Sequence, residues 1–121
     1  MTGATPTPTP TVWPRIPAPG WQGLYRQLQA DVAALDPYAT VRAKSKTGHL
    51  DVTVVSAAPA VLQRIRELCY DAEDTSQRTC EVCGNPGQRV RDGRGWIRSL
   101  CPDHAAMPLV ELRALLRESG S

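Results

Sequence analysis

The chain has 121 residues and a formal charge of +2; 41% of it is apolar, 21% charged and only 5% aromatic, with no Phe. That is the length of one small domain. No apolar run approaches the roughly 20 residues of a membrane-spanning helix, and the N-terminus lacks the charged start and apolar stretch of a secretory signal. We therefore expect a soluble, cytoplasmic protein with no membrane partner, while so small a net charge does not by itself mark a nucleic-acid binder.

Six of the 11 prolines fall within residues 1–19. Proline fixes φ and removes a backbone donor, so this Thr/Pro-rich stretch is expected to be an extended or disordered tail, with Trp13 and Ile16 as incidental apolar residues. From Gly20 to Leu35, Trp21, Leu24, Tyr25, Leu28, Val32 and Leu35 recur on one helical face. Asp36-Pro37 ends it, because the residue before proline avoids the helical region.

Residues 38–57 alternate instead. Val41, Ala43 and Ser45 face one way and Arg42, Lys44 and Lys46 the other; after Thr47-Gly48, Leu50, Val52 and Val54 oppose Asp51 and Thr53. Two such runs around a glycine turn predict a β-hairpin with one buried and one basic face. Ala58-Pro59 is expected to open a second helix, with Pro in its first turn. That helix should run to about Ser76 and turn Val61, Leu62, Ile65, Leu68, Cys69 and Ala72 inward. A two-stranded ribbon is marginal alone, so both helices should pack on its apolar face.

The rest of the chain carries the chemistry. Cys80 and Cys83 form a C-x2-C pair followed by Gly84; Cys101 and His104 form a C-x2-H pair 17 residues beyond the first. Zinc takes four Cys or His ligands in a tetrahedron, and a hairpin that brings two close pairs together supplies them. Gly84 and Gly87 allow the tight turns of a knuckle, Asp92-Gly93 marks the turn of the intervening hairpin, and Pro102 suits the first position of a helix that carries His104. Knuckle, hairpin and helix in this order is the arrangement of a treble-clef zinc finger. Four protein ligands close the coordination shell, which makes the Zn2+ structural rather than catalytic. Zinc-finger peptides gain about 10–16 kcal/mol from such binding at neutral pH, more than this thin segment obtains from burial.

Cys69 is the cysteine left over, and its place on the inward stripe marks it as a core residue. It has no base beside it in the sequence: His49 lies at a turn and His104 is a ligand. The hairpin between the cysteine pairs has no His, unlike histidine–metal nucleases that also use treble clefs. We expect no enzyme activity. Asp103 has two roles open to it, accepting the second ring proton of His104 or facing water.

The combined pattern resembles a group of small uncharacterised proteins of bacteria and their phages. The residues that carry the likeness are Gly20-Trp21 with Leu24, K-S-K-T-G-H-L at 44–50, A-E-D-T-S at 72–76, C-E-V-C-G-N-P-G at 80–87 and G-W-I-R-S-L-C-P-D-H at 95–104. Those proteins share a basic K-x-K-x-G-G-L hairpin, an A-E-x-x-S helix end and a C-x2-C-G…W…L-C-x2-H finger. Here His49 replaces the second glycine and Thr47 an aromatic residue. The resemblance implies an architecture rather than an activity.

The predicted fold is therefore α+β: a tail over 1–19, an α-β-β-α unit over 20–78, and a treble-clef finger with a closing helix over 79–121. The expected function is binding. Arg42, Lys44 and Lys46 on one hairpin and Arg89, Arg91, Arg94 and Arg98 on the other are candidate contacts to DNA or RNA, since such groups neutralise phosphates. Trp96 has a base-stacking role open to it, but its place beside the metal favours the core. The alternative is an accessory protein of a phage or mobile element that binds or inhibits a protein partner. The basic hairpins would serve there, as would the apolar face of the last helix (Leu109, Val110, Leu112, Leu115 and Leu116) wherever it stays uncovered. We expect that helix to pack back over the first section.

Overall fold

The computed structural model describes residues 18–120, with side chains as far as Leu116. The expected tail with Trp13 and Ile16 lies outside the described residues up to position 17. Ala18 and Pro19 are described, and Ala18 is buried, so the packed unit takes in residues ahead of Gly20.

A 3-10 turn at Pro19–Trp21 leads into α1 (Gln22–Leu35), whose buried residues Tyr25, Leu28 and Val32 lie on the face expected from their spacing. Asp36 leaves the helical region, and its carboxylate accepts the N–H groups of Tyr38 at 3.0 Å and Ala58 at 2.9 Å. One side chain thus ties the end of the helix to both ends of the following hairpin.

Strands β1 (Thr40–Lys46) and β2 (His49–Ser56) pair antiparallel, with Lys46 opposite His49, Ala43 opposite Val52 and Val41 opposite Val54. Thr47 and Gly48 both have positive φ, 46° and 80°. This is the two-residue turn whose twist matches that of the strands. Val41, Leu50 and Val52 are buried, whereas Arg42, Lys44 and Lys46 are exposed.

Helix α2 (Leu62–Ser76) starts later than the sequence predicts. The Val61 N–H bonds to the Ala58 carbonyl at 3.0 Å, so Pro59 sits in a turn that precedes the helix. With Ala58 held by Asp36, the chain must reverse before it can wind. Ile65, Cys69 and Ala72 then pack against α1 and the apolar face of the hairpin in one core. The last turns of α2 also finish the outer edge of β2. Ser76 accepts the Leu50 N–H at 2.8 Å, and Glu73, one turn earlier, accepts the Val52 N–H at 2.7 Å.

The second half contains β3 (Gln88–Arg91), β4 (Ile97–Leu100), the short α3 (Pro102–Ala105) and α4 (Leu109–Gly120). The two strands pair antiparallel from Gln88–Leu100 to Arg91–Ile97. Gly95, not Gly93, takes the positive φ of their turn, and the Gly95 N–H bonds to the Asp92 carbonyl at 2.8 Å. Leu112 of α4 is buried with Cys80, Leu100 and Cys101 in a second, smaller core. The closing helix therefore covers the finger and touches the first section at the Pro19–Trp21 turn, rather than lying over the two longer helices. The α+β class is as expected.

The two cores share a polar seam. Gly20 donates its N–H to the Glu81 carbonyl at 2.9 Å, so close that a Cβ at Gly20 would collide with the Cys80 carbonyl. The Trp21 indole N–H donates to the Thr79 carbonyl at 2.9 Å. Ser99, fully buried, donates its hydroxyl to the Gly48 carbonyl.

Candidate metal centre and basic surface

The knuckle begins where α2 ends. The Cys80 N–H bonds to the Asn85 carbonyl at 2.8 Å and the Gly84 N–H to the Cys80 carbonyl at 2.9 Å, with Gly84 at φ 82°. This fold-back presents the side chains of Cys80 and Cys83 together. Gly87 passes so close to Leu100 that a Cβ there would lie 2.8 Å from its carbonyl atoms, which brings the knuckle onto the end of β4. Cys101 follows directly as the N-cap of α3, with Pro102 in the first turn as expected and His104 two residues on.

These elements bring all four expected ligands together, every ligand atom within 4.8 Å of every other. Cys83 Sγ and Cys101 Sγ are 3.8 Å apart, Cys80 Sγ and His104 Nδ1 3.6 Å, and Cys101 Sγ and His104 Nδ1 3.2 Å. Bonds of about 2.3 Å to sulfur and 2.0–2.1 Å to nitrogen give tetrahedral edges of about 3.8 Å between sulfurs and 3.5 Å between sulfur and nitrogen. The donor set and its spacing fit one four-coordinate metal ion. Backbone N–H donation from His104 leads the effects that bring the Cys101 thiol down to about 7, toward the thiolate that a metal binds. Asp103 is exposed.

Cys69 is buried in the first core, as expected. Burial, helped by the nearby charge of Glu73, pushes its thiol up to about 11, which is the behaviour of an inert core cysteine.

The arginines of the second hairpin divide. Arg98 is not a free cation: it reaches Glu81 at 2.6 Å and Asp92 at 3.0 Å, with its side chain only 16% exposed. Glu81 is buried, and burial raises its pKa even against the pull of Arg98. Asp92 is held below its ordinary value. Burial works against its charge, but the N–H groups of Arg94 and Trp96 and the Arg98 guanidinium outweigh that. Arg94 also approaches Asp92, at 3.5 Å, and lies 3.7 Å over the Trp96 ring. Trp96 is 60% exposed. Its expected place in the core is thus corrected: Asp92 turns the loop outward, and the small second core is closed by Leu112 of α4 instead.

Arg89 and Arg91 remain on the surface. Arg91 donates to the Gly95 carbonyl at 2.8 Å, and Arg89 donates to the Thr47 carbonyl at 2.8 Å across the seam. The second hairpin therefore meets the first at its turn, next to Lys46.

Sequence reasoning missed Glu81, Asp92 and Ser99 as structural polar residues. The available signals were Glu81 inside the C-x2-C pair and Arg98 at the inward register of a strand. Among the described residues no helix is long and apolar enough to cross a membrane. The chain matches no protein-family model, no curated protein and no solved structure. Fold and site together define a small α+β protein with a Cys3His cluster able to hold a metal ion.

Proposed function

We propose that this protein is a zinc-stabilised binding module of treble-clef type, without enzymatic activity, that contacts DNA or RNA through its two basic hairpins. The choice of Zn2+ rests on the three thiols and one imidazole at tetrahedral spacing. A closed shell of protein ligands assigns the ion a scaffolding role, because no coordination position is left for a substrate.

The observation that carries the nucleic-acid reading is the Arg89 contact to Thr47. We read the two short basic runs, each ordinary for a solvated face, as one strip of five cations that this contact joins. Phosphate binding releases counterions, so affinity should fall steeply with salt. Arg94 and Arg98 are left out of the strip, because Asp92 and Glu81 engage them.

A fluorescent mixed-sequence oligonucleotide, single- and double-stranded, titrated with the zinc-loaded chain at several salt concentrations tests this. Binding that weakens with salt, and whose salt slope falls when Lys44, Lys46, Arg89 and Arg91 become Gln, is the expected result. No binding at about 50 mM salt, where phosphate contacts are strong, overturns it.

An accessory protein that binds or inhibits a protein partner is the second reading. The specific observation in its favour is the backbone edge of β1 that no described residue pairs with.

A further inference from the structure

We propose that the outer edge of β1 is a docking edge, which an acidic extended peptide joins as a third strand. The backbone of Val41, Ala43 and Ser45 supplies this edge, while the cations that select its occupant, Arg42, Lys44 and Lys46, are shared with the proposed phosphate strip.

The pattern follows from register. With the two-residue turn at Thr47-Gly48, the pairs Lys46–His49, Lys44–Asp51 and Arg42–Thr53 exchange their N–H and C=O groups across the hairpin. The alternate residues turn theirs outward: Leu50 and Val52 on β2, Val41, Ala43 and Ser45 on β1. The two edges then differ. On β2 the outward N–H groups of Leu50 and Val52 are taken by Ser76 and Glu73. On β1 the outward groups of Val41, Ala43 and Ser45 have no partner among the described residues. The packing of α2 is against β2, and no described strand pairs with the far edge of β1.

An open edge of seven residues is a template for another strand. Charge selects the occupant. The solvent face of the hairpin carries Arg42, Lys44 and Lys46 against the single carboxylate of Asp51. A second copy pairing antiparallel about Ala43 would set Arg42 against Lys44 of its partner, and like charges directly opposite destabilise a sheet. An incoming strand with Asp or Glu at alternate positions has the opposite effect. A nucleic acid offers no row of N–H and C=O groups at strand spacing, so it cannot replace a peptide along this edge.

The test uses the full zinc-loaded chain and a synthetic heptapeptide of alternating Asp/Glu and Val, observed by amide NMR and hydrogen exchange. A second peptide is identical but N-methylated at alternate residues, which removes its ladder donors and keeps its charge. Binding should slow exchange of the Val41, Ala43 and Ser45 amides, and N-methylation should weaken it at least tenfold. Ser45→Pro should weaken it similarly, since the Ser45 N–H lies outside the hairpin ladder and its side chain is exposed. The proposal is overturned if no shift appears at about 1 mM peptide, the weak end of specific binding. It is equally overturned if both peptides bind alike, if the protected amides lie elsewhere, or if the same amides are protected in a peptide-free dimer.

Discussion

Arg98, on the strand that leads to Cys101, sets its guanidinium 2.6 Å from the carboxylate of Glu81, the residue that follows Cys80 in the knuckle. The contact ties the knuckle that carries Cys80 and Cys83 to the strand that leads to Cys101. Glu81 also accepts the Ser99 N–H at 3.3 Å, and the Glu81 N–H bonds back to the Ser99 carbonyl at 2.9 Å.

Removing one partner of this buried pair should be costly. Arg98→Ala leaves the buried Glu81 carboxylate without its cation, and breaking a buried ion pair in this way costs about 3–5 kcal/mol. Urea denaturation of the zinc-loaded chain should show that loss, whereas Arg91→Ala, at an exposed site, should stay within about 0.5 kcal/mol. Equal effects of the two substitutions would refute the assignment of Arg98 as structural.

Gly20 is required for space rather than for its φ. A Cβ there would collide with backbone atoms of Cys80, Glu81 and Gly84, and backbone has nowhere to rotate. Gly20→Ala should therefore cost at least the roughly 1–3 kcal/mol typical of overpacking and weaken metal retention as well. Gly23→Ala, where nothing lies within reach of the added carbon, is the control and should be neutral or mildly stabilising.

Tyr25 predicts an alkaline limit. Burial pushes its phenol up from 10.0 to about 12. The neutral form is favoured by folding, so its contribution is complete below about pH 10 and is lost as the pH rises through 12. Two pH units correspond to about 2–3 kcal/mol. Tyr25→Phe should unfold at higher pH than the unaltered chain when followed by circular dichroism; identical alkaline midpoints would count against burial of this phenol.

The four cysteines should react in two classes. A bound metal ion would shield Cys80, Cys83 and Cys101, while Cys69 is buried, with its thiol at about 11. Alkylation of the native chain should be slow, and a chelator should release three fast thiols and leave Cys69 behind, as read by peptide mass mapping. Early modification of Cys69 would contradict its place in the core.

Elements with a plain period were legible from sequence: the α1 face, the alternating hairpin and the paired ligands flanking the second hairpin stand where spacing puts them, except that Leu35 and Ser45, near the ends of their elements, are exposed rather than turned inward. The start of α2 was not, because Pro59 suits a turn before a helix as well as its first turn, and a tertiary bond from Asp36 to Ala58 decides. Trp96 was misjudged for a related reason. Strand alternation identifies a face but not the Asp92 hydrogen bonds that turn the loop outward. The same bonds explain why Arg94 and Arg98, which read as surface charge, are engaged within the finger. The junction of the hairpins at Arg89 and Thr47 spans 42 positions, a distance over which local pattern carries no information.

The central claim is a single metal ion at Cys80, Cys83, Cys101 and His104 that holds the second half of the chain in shape. Native mass spectrometry of the purified chain, before and after chelation, addresses it directly. The account requires one zinc per chain, with its removal shifting the charge states toward an expanded form, and no zinc bound by Cys83→Ser. A metal-free chain that stays equally compact would contradict it.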